Sequence, residues 1–245
     1  MPALARADLE SLLRQRKLDR TLTTALPAPA PADGHWLAPT GISDLDRQLG
    51  GGLPRGQLSE LVGPRSSGRW AILLSAFASA TRRGEAVALI DPLDMFDPPS
   101  AGAAGIDLAR LLWVRGEAPS SARTSLSCEH GTLQKAVDRA LKSLNLVLQA
   151  GGFGLVALDL AEIVPQVVRR IPLTTWLRIQ RVIEDVGSET ACVLIGSEPM
   201  ARSAGGLTVA LERNMAPGIV HARIVRARAI RTERDVCLHL SASAC

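Results

Sequence analysis

Gly63-Pro64-Arg65-Ser66-Ser67-Gly68-Arg69-Trp70 is the stretch whose reading decides the fold. It keeps the two glycines of the phosphate-binding pattern G-x-x-x-x-G-K-S/T at their spacing. Arg69, however, stands at the lysine position, and Trp70 stands where a Mg²⁺-binding hydroxyl belongs. In such a loop the backbone N–H groups of the turn and of the following helix N-terminus cradle phosphate oxygens. That framework is legible: Val62 closes an apolar run, Gly63 and Gly68 bracket the turn, and Ala71 to Ala80 reads as a helix. Arg69 keeps a positive charge on a larger, planar head, while Trp70 has no group that ligates a metal. Its indole either fills the space of a metal and its waters or turns away into the core. The sequence predicts the scaffold of a nucleotide site without its chemistry.

Outward from the loop, short apolar runs at Leu58 to Val62, Ala86 to Ile90, Leu111 to Val114, Leu155 to Leu158 and Cys192 to Ile195 alternate with helical stretches. Continuous apolar strands separated by helices suit a mostly parallel sheet flanked by helices on both faces. One intervening helix carries Leu133, Val137, Ala140, Leu141, Leu144 and Leu148 at helical spacing before Gly151-Gly152 ends it. Val220 to Val225 and Val236 to Leu240 read as late antiparallel strands. At the other end, Leu9, Leu12 and Leu13 share a helical face, with Arg14, Arg16, Lys17 and Arg20 towards the helix end. The alternating prolines of Leu26 to Gly34 then form an extended linker. The expected organisation is an N-terminal helix (1–24), a Pro/Ala-rich linker (25–36) and an α/β core (37–245).

The 245 residues are 47% hydrophobic, enough for one substantial core. No apolar run reaches the roughly 18 residues of a membrane span, and no signal-peptide pattern opens the chain, so a cytoplasmic protein with no membrane partner is expected. Cys128, Cys192, Cys237 and Cys245 form no C-x-x-C pair, which argues against a zinc site or a disulfide framework and for reduced, mostly buried thiols. The formal net charge is only +4. Between Arg213 and Arg234 six arginines face the single acid Glu233, a basic face fit for phosphates or an acidic protein surface, or simply for solvent.

The wider sequence resembles the core of RecA-type recombinases over roughly residues 40 to 240. The resemblance rests on Thr40-Gly41, Leu45-Asp46, Leu49-Gly50-Gly51-Gly52-Leu53-Pro54-Arg55-Gly56, Glu60-Leu61-Val62-Gly63-Pro64, Ile90-Asp91, Asp97-Pro98 and Gly105-Ile106-Asp107 in the family's order. It implies a RecA-like core and assigns positions. The general base falls at Leu93, with Asp94 one residue on; the adenine-stacking aromatic falls at Ser100; and the γ-phosphate sensor falls at Ser197. Asp97 is a possible remnant of the adenine contact, and Asp159 of the Mg²⁺ shell, although a strand-end carboxylate also serves as a cap. With these groups changed the resemblance implies a pseudo-ATPase: no catalytic residue, no metal and no cofactor, residual nucleotide binding being the open alternative. The phosphate loop itself would be the degenerate set Gly63, Ser66, Ser67, Gly68, Arg69 and Trp70. The family's two DNA-gripping loops correspond to Glu162–Pro172, with Arg169 and Arg170, and to a shortened Glu198–Gly206, with Arg202 and no aromatic. DNA binding is therefore expected to be phosphate-led and weak. Arg226 and Arg228 fall where the family places a lysine pair that reaches a neighbouring subunit.

Within that superfamily, Leu144–Leu160, Ile171–Arg181 and Glu198–Leu207 resemble the ImuA group, RecA-like components of DNA-damage-inducible mutagenesis cassettes. The resemblance implies an adaptor for translesion synthesis. Its partners would be a RecA-type recombinase, an ImuB-like inactive Y-family polymerase relative and an error-prone C-family polymerase. The alternatives are a weak ATP- and DNA-binding recombination protein and a cell-division inhibitor of the SOS response.

Overall fold

A computed structural model describes residues 36–117, 130–185, 189–214, 218–228 and 235–239. All belong to the second of two compact units, Asp33–Cys245, the first being Met1–Ala32. The expected N-terminal helix, the linker up to residue 35, and Cys128, Arg231, Arg234 and Cys245 lie outside the described residues.

A two-stranded antiparallel ribbon of β1 (Leu37–Ala38) and β2 (Leu53–Pro54) brackets α1 (Ser43–Gln48). The main sheet follows: β3 (Leu58–Val62), α2 (Arg69–Arg82), β4 (Ala86–Asp91), α3 (Pro98–Ala103), β5 (Leu111–Arg115), α4 (His130–Ala150) and β6 (Phe153–Asp159). Short α5 (Pro165–Val168), α6 (Leu173–Asp185), β7 (Ala191–Gly196), β8 (Leu207–Arg213), β9 (Ile219–Ala227) and β10 (Asp235–His239) complete it. The strand order is β10-β9-β8-β3-β7-β6-β4-β5. β3 to β8 pair in parallel, and β9 and β10 close one side antiparallel.

All five apolar runs become strands, and β3 and β7, buried at every residue, occupy the middle of the sheet. Successive strand side chains point to opposite faces, so one sheet feeds two cores. On one face Leu61, Leu89, Ile195 and Val209 pack with Phe77 of α2. On the other, Ile90, Leu158 and Leu194 pack with Val137 and Leu144 of α4 and Trp176 of α6. Helix α4 stops where the sequence says: Gly151 and Gly152 adopt φ +67° and +78°, the left-handed region glycine enters without steric cost. At this same end of the sheet, Arg55 ties four segments together. It donates to the carbonyls of Leu37 (3.4 Å), Gly154 (2.9 Å) and Glu189 (2.7 Å) and pairs with Glu85 (2.8 Å).

Two expectations change. The sequence reading assigns no strand to 207–213, yet β8 forms there between β3 and β9, with Leu207, Val209 and Leu211 facing the core. The alternation of those apolar residues is the signal for it. The thiols are not uniformly buried either: Cys192 is buried in β7, but Cys237 of β10 is exposed. No described helix is long and apolar enough to cross a membrane.

Candidate functional site

The turn after β3 takes its form from backbone geometry. Gly63 has no room for a side chain, because a Cβ there would lie 2.2 Å from the Leu211 carbonyl oxygen and 2.8 Å from Ser67 Oγ. Ser66 and Gly68 both adopt left-handed φ, +58° and +90°. The Ser67 N–H closes the turn onto the Pro64 carbonyl (3.2 Å), and Gly68 caps α2, whose first turn carries no acidic residue. Ser67 is buried, and its Oγ has no hydrogen-bond partner among the described residues.

The two altered positions are occupied by contacts within the protein. Arg69 is only 4% exposed, and its Nη1 donates to the carbonyl of Gly196, at the end of β7, at 2.6 Å. The same carbonyl accepts the Gly63 N–H at 3.2 Å. Burial pulls the Arg69 guanidinium below its usual range; the charges of Asp159 and Glu162 oppose that shift and Arg65 adds to it. Arg65 in turn pairs with Glu162 at 2.8 Å. Trp70 turns away from the loop. It packs on Phe96 with ring centroids 6.3 Å apart, and Phe96 meets Trp113 edge-on at 5.1 Å. The packing alternative of the sequence reading is the one found.

Asp91 organises this aromatic group. Its Oδ2 accepts the Phe96 N–H (2.9 Å) and the Trp113 indole N–H (3.3 Å), while its buried Oδ1 has no partner among the described residues. Arg115 stacks over Trp113 at 4.4 Å and grips Asp94 through two bonds of 2.8 Å. Asp94 thus has a cation partner that holds its carboxyl below the usual range. Leu93 does not enter the loop. It lines a cleft of about 430 Å³ between the ends of β4 and β5 and the start of α4, with Val114, Glu117, Leu133 and Arg139.

The two remnant carboxylates serve the backbone. Asp97 accepts the Ser100 N–H at 3.0 Å and caps α3. Asp159 accepts the Ala161 N–H at 2.8 Å, and burial pushes its carboxyl up to about 7. Nearby Asp91 and Glu162 add to that shift, while the Ala161 N–H and Arg69 oppose it.

The segment after β7 is fastened by side chains from other elements. Glu60, buried in β3, accepts the N–H groups of Met200 and Ala201 on Oε1 and the Thr208 hydroxyl on Oε2, each at 2.7 Å. Arg169 is held by two bonds to Glu198, 2.7 and 2.6 Å, so this expected phosphate contact is already matched by a carboxylate of the protein. Arg170 is exposed. The Arg202 and Ser203 carbonyls accept the guanidiniums of Arg226 and Arg228 respectively, and Arg202 adopts φ +49°. These two arginines act on one turn together, as their spacing predicts, but the turn is their own chain's. Ser197 is exposed. Glu60 escaped the functional reading of the sequence; a carboxylate inside a fully buried strand is the signal that reveals it.

Residues 36–128 match the family described as the RecA N-terminal domain. "Protein RecA" of Prochlorococcus marinus (strain MIT 9303) is 43% identical over 74 residues, 30% of this chain and 20% of the relative. "Protein RecA" of Chlorobaculum tepidum is 33% identical over 129 residues, 52% of this chain and 32% of the relative. The chain thus spans about a fifth to a third of the length of these relatives. Among solved structures, the RadB recombinase superposes with a TM-score of 0.59 at 20% identity, covering 84% of this chain and 96% of that one. That likeness concerns the fold.

Proposed function

We propose that this chain, whose residues 36–128 match the RecA N-terminal domain and whose fold is similar to that of the RadB recombinase, is a non-hydrolysing adaptor of the ImuA kind in DNA-damage-induced mutagenesis. The observation that carries the reading is the engagement of the two altered loop residues. Arg69 is bound to the Gly196 carbonyl and Trp70 is packed on Phe96, so neither is placed to bind γ-phosphate or Mg²⁺. Leu93 offers no base, and Asp94 is paired with Arg115. A working enzyme of this type relies on its lysine, its metal-binding hydroxyl and a positioned base for most of its transition-state stabilisation. The residues do not fit a catalytic Mg²⁺, and no step is assigned to one.

On this reading, surfaces that serve filament assembly in recombinases serve as constitutive docking surfaces. The partners are a RecA-type recombinase and an ImuB-like polymerase relative, with an error-prone C-family polymerase recruited through the complex. The exposed basic residues Arg170, Arg202 and Arg228 are the positions that meet an acidic partner or a DNA backbone.

Calorimetric titration with MgATP, beside the double variant Arg69→Lys, Trp70→Thr, tests the reading. The native chain gives no turnover, and the double variant binds nucleotide more tightly. Measurable hydrolysis by the native chain would overturn the proposal. Co-purification with the recombinase and the ImuB-like protein tests the adaptor role separately.

A further inference from the structure

The cleft of about 430 Å³ at the ends of β4 and β5 lies apart from the phosphate loop. Leu93 and Val114, from its walls, pack in the core that α4 and α6 cover, whereas α2, which the loop leads into, packs on the other face of the sheet. Its floor side chains among the described residues are apolar: Ile90, Leu93, Val114, Leu133, Ala136 and Ala140. Its rim carries two guanidiniums, Arg115 from β5 and Arg139 from α4, with 59% and 57% of their side chains exposed. Each holds a carboxylate. Arg115 grips Asp94 through two bonds, and Arg139 reaches Glu117 through one of 3.1 Å. Asp91, also in the wall, is engaged towards the other face, where its Oδ2 accepts the Trp113 indole N–H.

We propose that this cleft binds a small organic acid, an apolar body carrying one carboxylate, with Arg139 as the residue that receives the head group. Open parallel sheets bind ligands outside the carboxyl ends of their strands, and the volume falls within the roughly 300–1,000 Å³ of small-molecule sites. An apolar floor selects an apolar body, because burying a polar group there without a partner is costly. At the rim, a planar guanidinium matches a carboxylate through two parallel N–H bonds.

Glu117 is the chain's own stand-in for that head group. Its side chain is 80% exposed and is held by one guanidinium nitrogen. Solvent screens such a pair, so a carboxylate anchored by an apolar body can replace it. Arg115 differs, because Asp94 is only 17% exposed and takes two of its nitrogens. It contributes positive potential at the mouth and keeps its partner.

The test is calorimetric titration of the full chain with 2-naphthoate, beside 2-naphthamide, which has the same shape and no charge. Naphthoate is expected to bind with a dissociation constant of about 0.1 mM, and naphthamide about tenfold more weakly. Arg139→Gln is expected to bring the two probes within about twofold of each other. Glu117→Gln, which removes the competing carboxylate, is expected to tighten naphthoate about threefold and to leave naphthamide unchanged. A merely apolar surface gives no such split. Ala136→Trp, at a half-buried floor position, fills the cleft and is expected to abolish binding of both probes. Absence of naphthoate binding overturns the proposal, as does binding that survives Ala136→Trp or that ignores both Arg139→Gln and Glu117→Gln. These last two change exposed side chains and decide the matter if Ala136→Trp fails to fold. No nucleotide enters the titration, so its outcome is separate from that of the hydrolysis test.

Discussion

Two segments leave neighbouring strands at the same end of the sheet and are held by opposite means. The turn after β3 is shaped by its own backbone. A glycine with no space for Cβ and two left-handed residues set its path, and the Ser67 hydroxyl is left without a partner. The end of β7 and the segment after it are set by side chains from other elements: Arg69 holds the Gly196 carbonyl, Glu60 the Met200 and Ala201 N–H groups, Arg169 the Glu198 carboxylate, and Arg226 and Arg228 the Arg202 and Ser203 carbonyls. The difference teaches what each can do. The turn keeps one buried hydroxyl, Ser67 Oγ, without a partner among the described residues. A segment bonded at Glu198, Met200, Ala201, Arg202 and Ser203 is fixed without a ligand. Here Arg69 joins the two through the Gly196 carbonyl.

Removing the central fastening has the largest expected effect. Glu60→Ala leaves two buried N–H groups and a hydroxyl without their acceptor, and a loss of about 3 kcal/mol in urea unfolding is expected. Glu60→Gln, which keeps one acceptor oxygen, should lose about half of that. A loss below about 1 kcal/mol for the alanine variant would mean that the segment holds itself. Next comes the shape of the loop. Gly63→Ala forces a Cβ against the Leu211 carbonyl and should cost about 2 kcal/mol, whereas Ser67→Ala should stay within about 0.5 kcal/mol. Equal losses at both positions would erase the contrast between backbone and side-chain control.

A smaller effect is confined to pH. Asp159 is raised to about 7 in the folded chain, so between about 4 and 7 the folded state holds a proton that the unfolded state has released. Its contribution to stability is therefore present at low pH and lost as pH rises through that window. Asp159→Asn should flatten this part of the stability profile when unfolding midpoints are compared from pH 4 to 8. The smallest effect belongs to Arg169→Ala: its ion pair with Glu198 is exposed, and the unfolding midpoint should not move measurably. What the variant frees is the Glu198 charge, visible as weaker binding of polyanions if any occurs.

The parts of the fold legible in the sequence were those where burial and periodicity coincide. Each of the five apolar runs forms a strand, and the Leu133–Leu148 spacing forms α4 with Val137 and Leu144 inward. β8 has no counterpart in the sequence reading, which takes Glu198–Gly206 as a shortened loop of the family and assigns no element to the residues that follow it. The alternation of Leu207, Val209 and Leu211 continued beyond it. At the site, the sequence showed which groups had changed but not what the new ones hold. That Arg69 binds a carbonyl 127 residues away, or that Arg226 and Arg228 close on Arg202 and Ser203, depends on sheet order, which no local pattern records.

The packing of Trp70 and Trp113 around Phe96 has an optical consequence. The chain has four tryptophans and no tyrosine, so its near-ultraviolet emission comes from indole alone. Trp176 is sealed in the opposite core and should emit at short wavelength whatever the loop holds. Trp70 adjoins the loop itself, and any occupant that displaces Arg69 must alter the polarity around the adjacent indole. The protein thus carries a built-in fluorescent gauge of the turn after β3.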